Sequence, residues 1–260
     1  MTRSTRSDDD DATAATISRR TLLGRLALAG AGGVVASALP TSSLLAAVEG
    51  AESLATIDSG FALPRVDTPA EALRELAAGN RRFVDGKPVG PNRTMARLRE
   101  VAPKQHPFAA VLACADSRVP VEILFDQGFG DVFVCRVAGN IVTPEMVASL
   151  EFGTLVLGAK ALLVLGHSSC GAVKATIAGD AVPGQISALY QHIQPAVDRV
   201  AVQSKDGKAE TEAVARENVR MQAQLLGRSS PVLAGLAKEG KLTIVGGMYD
   251  LASGRVTMLG

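Results

Sequence analysis

The chain has 260 residues and a formal net charge of +1, which suits one ordinary domain plus an extension and leaves no electrostatic footprint for nucleic acid. Trp is absent and aromatic residues make up only 3%, so a core must rest on Val, Leu, Ile and Ala, a composition that fits parallel strands buried beneath helices. Three cysteines without even spacing do not read as a disulfide framework, leaving metal ligation or burial as the starting expectation.

The first 17 residues are rich in Ser, Thr, Ala and Asp and include Asp8 to Asp11, a composition that cannot build a core. Arg19 and Arg20 then precede an apolar stretch, Leu26 to Leu39, of 14 uncharged residues, short of the ~20 a bilayer span needs. A weakly hydrophobic, Gly- and Ala-rich segment behind Ser-Arg-Arg resembles a twin-arginine export signal, with Ala36-Ser37-Ala38 as its cleavage region. The glycines at 30 to 33 follow no strand pattern and are not a phosphate loop. The expected organisation is an export signal over 1–38, a linker over 39–66 and a folded domain over 67–260. The expected partner of the signal is the twin-arginine translocation machinery, and the expected destination is the periplasm, cell envelope or exterior.

Within the domain, Thr68 is placed to cap a helix, with Pro69 at its first position, Glu71 completing a capping box and Gly79 as its end. Short apolar runs at 108–113 and 131–137 read as buried strands, separated by a brief helical turn and a glycine-rich return. Thr143 and Pro144 open a second helix, in which Met146, Val147, Leu150 and Leu155 follow helical spacing. Residues 161–166 form a third strand and 241–246 a fourth. Two helical stretches fill roughly 185 to 227, and Ser230 caps another before Pro231. The closing residues read as a turn and an edge strand. Alternating strands and helices predict an α/β fold: a central, mostly parallel sheet flanked by helices, with an antiparallel or edge strand near the C-terminus.

Cys114 follows the first strand, while His167 and Cys170 follow the third. Ligand sites in open parallel sheets form beyond the carboxyl ends of the strands, so the fold brings these three side chains to one edge. Two thiolates and an imidazole suit zinc, and three protein ligands leave a fourth position open for chemistry. His-x-x-Cys alone is a weak signal. Joined to Cys-x-Asp-x-Arg after another apolar strand, it becomes a strong one. Asp116 either reaches the metal as a fourth ligand or sits beside it and orients water, and Arg118 can hold that carboxylate in a charge-assisted fork. Cys135, inside a strand run, reads as a buried free thiol, with replacement of His167 in the ligand set as the alternative. His106 and His192 complete the histidines and read as exposed loop or helix positions.

The stretch from Cys114 to Asn140 followed by "GHSSCGAV" at 166–173 resembles the beta class of carbonic anhydrases, and the similarity runs from Gly79 to Gly254. The resemblance implies one zinc per subunit on Cys114, His167 and Cys170, with Asp116 and Arg118 as the catalytic dyad. It implies reversible hydration of carbon dioxide to bicarbonate and a proton, by attack of zinc-bound hydroxide. In some members the equivalent of Asp116 closes the site as fourth ligand. Gln105 matches a glutamine that reaches into a neighbouring subunit's site to hold bicarbonate, which implies a homodimer or higher oligomer. Phe133, Ala138 and Phe152 fall where the family lines its apolar substrate pocket, with Ala138 smaller than the valine of plant members and Phe152 in place of a tyrosine. Gly171 matches a backbone donor near the zinc-bound oxygen. Val111 stands where members with a regulatory bicarbonate site carry Trp, which speaks against that regulation.

Two other readings use the same ligands. One is a carbon disulfide or carbonyl sulfide hydrolase on this scaffold, separated by the shape of its access channel. The other is a zinc- or bicarbonate-binding envelope protein without turnover, against which the intact Asp116–Arg118 pair argues.

Overall fold

A computed structural model of the chain describes residues 65–204 and 209–259. The expected export signal and nearly all of the expected linker lie outside the described residues. No helix among the described residues is long and apolar enough to cross a membrane.

The domain opens with α1 (Pro69–Val84), where the capping box forms as its residues predict. Glu71 N–H donates to the Thr68 hydroxyl at 3.3 Å, and Thr68 N–H donates to Glu71 Oε2 at 2.9 Å. Gly79 does not end this helix. It lies inside it, where a Cβ would fall 1.8 Å from the Phe125 carbonyl oxygen. The glycine therefore permits close approach of a neighbouring loop, and the helix continues for five more residues. A short α2 (Met95–Val101) follows, capped by Thr94, without a counterpart in the sequence pattern.

The strands come next: β1 (Ala109–Ala113), then the brief α3 (Val121–Leu124) and β2 (Val132–Arg136). A tight turn at Ala138–Asn140 leads into α4 (Pro144–Glu151), which runs on as a π-turn over Phe152–Val156. β3 (Ala161–His167) precedes α5 (Gly171–Ala178), α6 (Tyr190–Gln203), α7 (Thr211–Ser229) and α8 (Pro231–Lys238). The chain closes with β4 (Thr243–Tyr249) and β5 (Val256–Leu259). The sheet order is β2-β1-β3-β4-β5, parallel throughout except for the antiparallel β4–β5 pair. This is the predicted α/β architecture, with its antiparallel edge at the C-terminus.

Two expectations around α4 need correction. Thr143 occupies the N-cap position but its hydroxyl donates to Glu145 Oε2 at 3.0 Å, so the helix has no side-chain cap. Leu155 is 56% exposed whereas Leu150 is fully buried. The π-turn inserts an extra residue per turn and rotates Leu155 off the inward face.

Period-two alternation divides the core between the two faces of the sheet. Ala110, Leu112, Leu162 and Val164 pack on one side, and Ala109, Val111, Leu163 and Leu165 on the other.

A buried charge network ties α1 to the loop that follows it. Asp126 is fully buried and accepts from Arg82 Nε at 2.7 Å, Val89 N–H at 2.9 Å and Gly90 N–H at 2.8 Å. Burial alone would raise its pKa, but these donors outweigh it and hold the carboxyl below the usual range. A depressed folded-state pKa contributes stability above the unfolded value, and that contribution is lost as pH falls. Asp126→Asn is expected to destabilise the domain by about 3–5 kcal/mol in urea titrations at neutral pH. The gap from the parent should narrow once pH drops below about 4. An equal stability for both proteins at neutral pH would refute the role.

Candidate metal centre

β1 and β3 are parallel neighbours, with Ala113 opposite Leu165, so the residues at their carboxyl ends meet although they lie far apart in sequence. Cys114 directly follows β1, and His167 is itself the last residue of β3. Cys170 sits at the N-cap of α5 after a turn in which Ser169 takes φ of +54°. That turn is tied down on two sides. Ser168 N–H donates to the Tyr249 carbonyl at 2.9 Å, and Leu251 N–H donates to the Ser168 hydroxyl at 2.9 Å.

The ligand atoms of Cys114, His167 and Cys170 all lie within 4.8 Å of one another, and all three residues are buried. His167 Nδ1 is 2.9 Å from the Ser168 carbonyl oxygen. An N–H at Nδ1 satisfies that carbonyl and leaves the lone pair on Nε2. Nε2 is buried and has no hydrogen-bond partner, an arrangement that is unfavourable in a closed core and natural for a metal ligand. Two sulfurs and an unpartnered imidazole nitrogen in this space fit a zinc ion.

The charges agree. The Cys114 thiol is held well below its ordinary pKa, first by the hydrogen bond from Cys170 and then by contacts with His167 and the Gly139 N–H. The Cys170 thiol is pushed up by that same bond and by burial. A cation bound between the two sulfurs would displace a proton from them. Burial opposes protonation of His167, but the adjacent Cys114 sulfur outweighs it and raises the imidazole pKa above its ordinary value.

Asp116 stands beside the trio, its Oδ2 3.8 Å from His167 Nε2. Arg118 grips it in a fork: Nε to Oδ1 at 2.9 Å, Nη2 to Oδ2 at 2.7 Å, with the Arg118 N–H also on Oδ1 at 2.9 Å. The guanidinium holds this carboxyl far below the usual carboxylate range.

The remaining expected site residues divide into two groups. Gly171 is the first residue of α5, next to Cys170. Ala138 opens the turn after β2, one residue past Val137, whose N–H donates to the Ala113 carbonyl at 3.1 Å. Both lie at the carboxyl edge with the trio. Gln105, Phe133 and Phe152 do not. Gln105 precedes β1 and is exposed at the other end of the strand. Phe133 pairs with Ala110, three strand positions from the Arg136–Ala113 pair, or about 10 Å. Its ring packs on Phe152 with centroids 6.4 Å apart, and Phe152 is 47% exposed.

Two further groups support the site. Arg136 donates to the carbonyl oxygens of Cys114 at 3.1 Å and Asp116 at 2.6 Å. The Gly139 N–H donates to Cys114 Sγ at 3.3 Å. A charged residue closing an apolar strand hinted at the first. No local pattern announces the second.

Cys135 lies buried within β2 and belongs to the core, outside the ligand cluster. Burial pushes its thiol pKa up, as for an inert core cysteine. Cys135→Ser should leave the metal content of the purified protein unchanged. Loss of metal from this variant would put Cys135 in the ligand set.

A profile of the carbonic anhydrase family matches residues 109–256. A carbonic anhydrase of Mycolicibacterium smegmatis is 40% identical over 196 residues, covering 73% of this chain and 93% of its own length. Carbonic anhydrase 2 of Mycobacterium tuberculosis is 34% identical over 194 residues, covering 73% and 92%. Among solved structures, a beta-carbonic anhydrase of Coccomyxa in complex with acetazolamide is 28% identical with a TM-score of 0.57, over 72% of this chain and 86% of that one. With its parallel sheet and a Cys-His-Cys cluster at the strand ends, the chain belongs to the beta-class carbonic anhydrase family.

Proposed function

We propose that this enzyme interconverts carbon dioxide and water with bicarbonate and a proton, using a zinc ion held by Cys114, His167 and Cys170. The observation that carries this reading is the buried trio with its unpartnered His167 Nε2, flanked by the Asp116–Arg118 fork. Bound there, zinc would supply a water made acidic enough to act as a nucleophile near neutral pH.

The chain's own residues do the rest. Asp116 is ionised throughout the neutral range, because Arg118 holds its pKa down. Its Oδ2, on the side of His167, can therefore accept a hydrogen bond from the attacking water and fix its direction. Arg118 occupies both carboxylate oxygens and restrains Asp116 from turning onto the metal. Carbon dioxide is small and apolar, so the Ala138 side chain suits it better than a wall of donors would. The N-terminal backbone of α5, at Gly171, offers donors to an oxygen that gains negative charge.

Gln105, Phe133 and Phe152 lie away from the trio of their own subunit. They serve such a site when presented by a second copy, so the active unit in this reading is a homodimer or larger assembly. The test of the reaction is a stopped-flow assay of carbon dioxide hydration on the zinc-loaded mature domain.

We further propose export through the twin-arginine route, on the strength of Arg19 and Arg20 before the short apolar segment. Carrying the protein folded would let the metal be loaded before the thiols meet an oxidising compartment. Changing both arginines to Lys should leave an uncut precursor in the cytoplasm, visible by fractionation and immunoblotting. Undiminished export of that variant would refute the route.

A further inference from the structure

One face of α7 reaches both the turn that carries His167 and Cys170 and the loop whose Gly139 N–H meets Cys114. In its first turn, Glu212 Oε1 accepts from the Ser169 N–H at 2.9 Å, between His167 and Cys170. Further along, Asn218 Nδ2 donates to the Gly139 carbonyl at 2.9 Å. One turn beyond, Gln222 Oε1 accepts from the Val142 N–H at 2.8 Å. Gln222 Nε2 completes the set by donating to Asn218 Oδ1 and the His192 carbonyl, each at 3.1 Å. Asn218 and Gln222 are 1% and 3% exposed. Burying two amides is unfavourable unless their hydrogen bonds are met, and here they are met by the loop, by a neighbouring helix and by each other.

The helix has little freedom to shift. Val219, on the same face, sits where a Cβ on Gly166 would fall 2.5 Å from its Cγ2 and one on Gly246 would fall 2.7 Å from its Cγ1. The two glycines seat α7 directly on β3 and β4. The clamped loop is equally constrained. Gly139 takes φ of +76°, and a Cβ there would lie 2.7 Å from Ile193 Cδ1. Fixed in this way, its N–H points at Cys114 Sγ, 3.3 Å away.

We propose that Asn218 and Gln222 are positioning residues that aim the Gly139 N–H at the Cys114 sulfur and so set how strongly this thiolate donates to the metal, while Glu212 holds the Cys170 side of the site from the same helix. A hydrogen bond to a thiolate stabilises its lone pairs and lowers their donor strength. Without the clamp the loop relaxes, the bond lengthens, and the sulfur donates more strongly from a less well-placed position.

The inference rests on reading the trio as a metal site, and cobalt(II) substitution of the full chain separates the two questions. Asn218→Ala and Gln222→Met should each shift the sulfur-to-cobalt charge-transfer band to lower energy. In chelator competition they should weaken metal retention by about 10- to 100-fold. Asn218→Ser removes the same donor with a smaller change and serves if the Ala variant fails to fold. Leu226→Ala removes buried apolar volume from the same helix and none of these hydrogen bonds. It should lower the melting temperature while keeping the parent's band. Parental band and metal retention in both the Asn218 and Gln222 variants would overturn the positioning role. A parent protein that binds cobalt without any thiolate band would overturn the metal reading itself, and the inference with it.

Discussion

Cys114→Ser is expected to empty the metal centre and reduce carbon dioxide hydration to the uncatalysed rate. A serine hydroxyl stays protonated near neutral pH, so the site loses one of its two thiolates and keeps an imidazole and a single sulfur. Zinc bound by thiolate-rich sites is held by about 10–16 kcal/mol, and removing a ligand of this kind takes away a large part of that. Cys114 is buried at the end of β1, and the neighbouring Cys170 is already a member of the trio. Cys135 belongs to the core outside the cluster. The variant should keep its far-UV circular dichroism, because β1 itself retains every ladder partner. Elemental analysis showing full zinc occupancy in Cys114→Ser would prove the ligand set wrong.

The second large effect is expected at Asp116. Asp116→Asn should retain zinc, since the trio is untouched, and lower catalytic efficiency by about 100-fold, the order expected when a positioned acid–base group is lost. The parent's efficiency should rise from pH 7 toward an alkaline plateau. Asp116 does not cause that rise: its pKa is depressed below the carboxylate range by the Arg118 fork, so it is already ionised. The rise belongs to the metal centre, where two thiolates contribute more negative charge than imidazoles and move the activating ionisation above the ~7 found with three histidines. Arg118→Ala would free Asp116 to turn onto the metal, so activity should fall even at high pH. A flat profile between about pH 6.5 and 9, or an Asp116→Asn protein as fast as the parent, would contradict this division of roles.

Much of this arrangement is legible in the sequence because its signals are local. β1 and β3 are unbroken apolar runs, and the Thr68 and Ser230 caps sit before Pro at the first helical position. The trio stands out because Cys and His are scarce in the chain and fall at strand ends. What is not legible depends on contacts between distant segments. Gly79 carries the usual signal for ending a helix, yet its role is set by the Phe125 carbonyl lying against it. Leu155 keeps the helical period on paper, and a π-turn rotates it outward. α2 has no buried residue and so leaves no apolar stripe to read. Asn218 and Gln222 look like ordinary polar positions on a helix, and only the seating of α7 over Gly139 gives them a task. Phe133 resembles a substrate-pocket residue in sequence, but the register of β1 and β2 sets it about 10 Å back from the strand ends. Phe152 packs on its ring, and Gln105 precedes β1 at the opposite end of the strand.

The central claim is that the Cys114–His167–Cys170 centre hydrates carbon dioxide through zinc. Its most direct test is a stopped-flow measurement on one preparation of the mature domain, taken through zinc removal and zinc return, with carbon dioxide and carbon disulfide as alternative substrates. Carbon dioxide hydration is expected to vanish with the metal, return with about one zinc per subunit, and greatly exceed any turnover of carbon disulfide. Hydration unchanged by zinc removal, or a zinc-loaded protein that turns over carbon disulfide and leaves carbon dioxide at its uncatalysed rate, would contradict it.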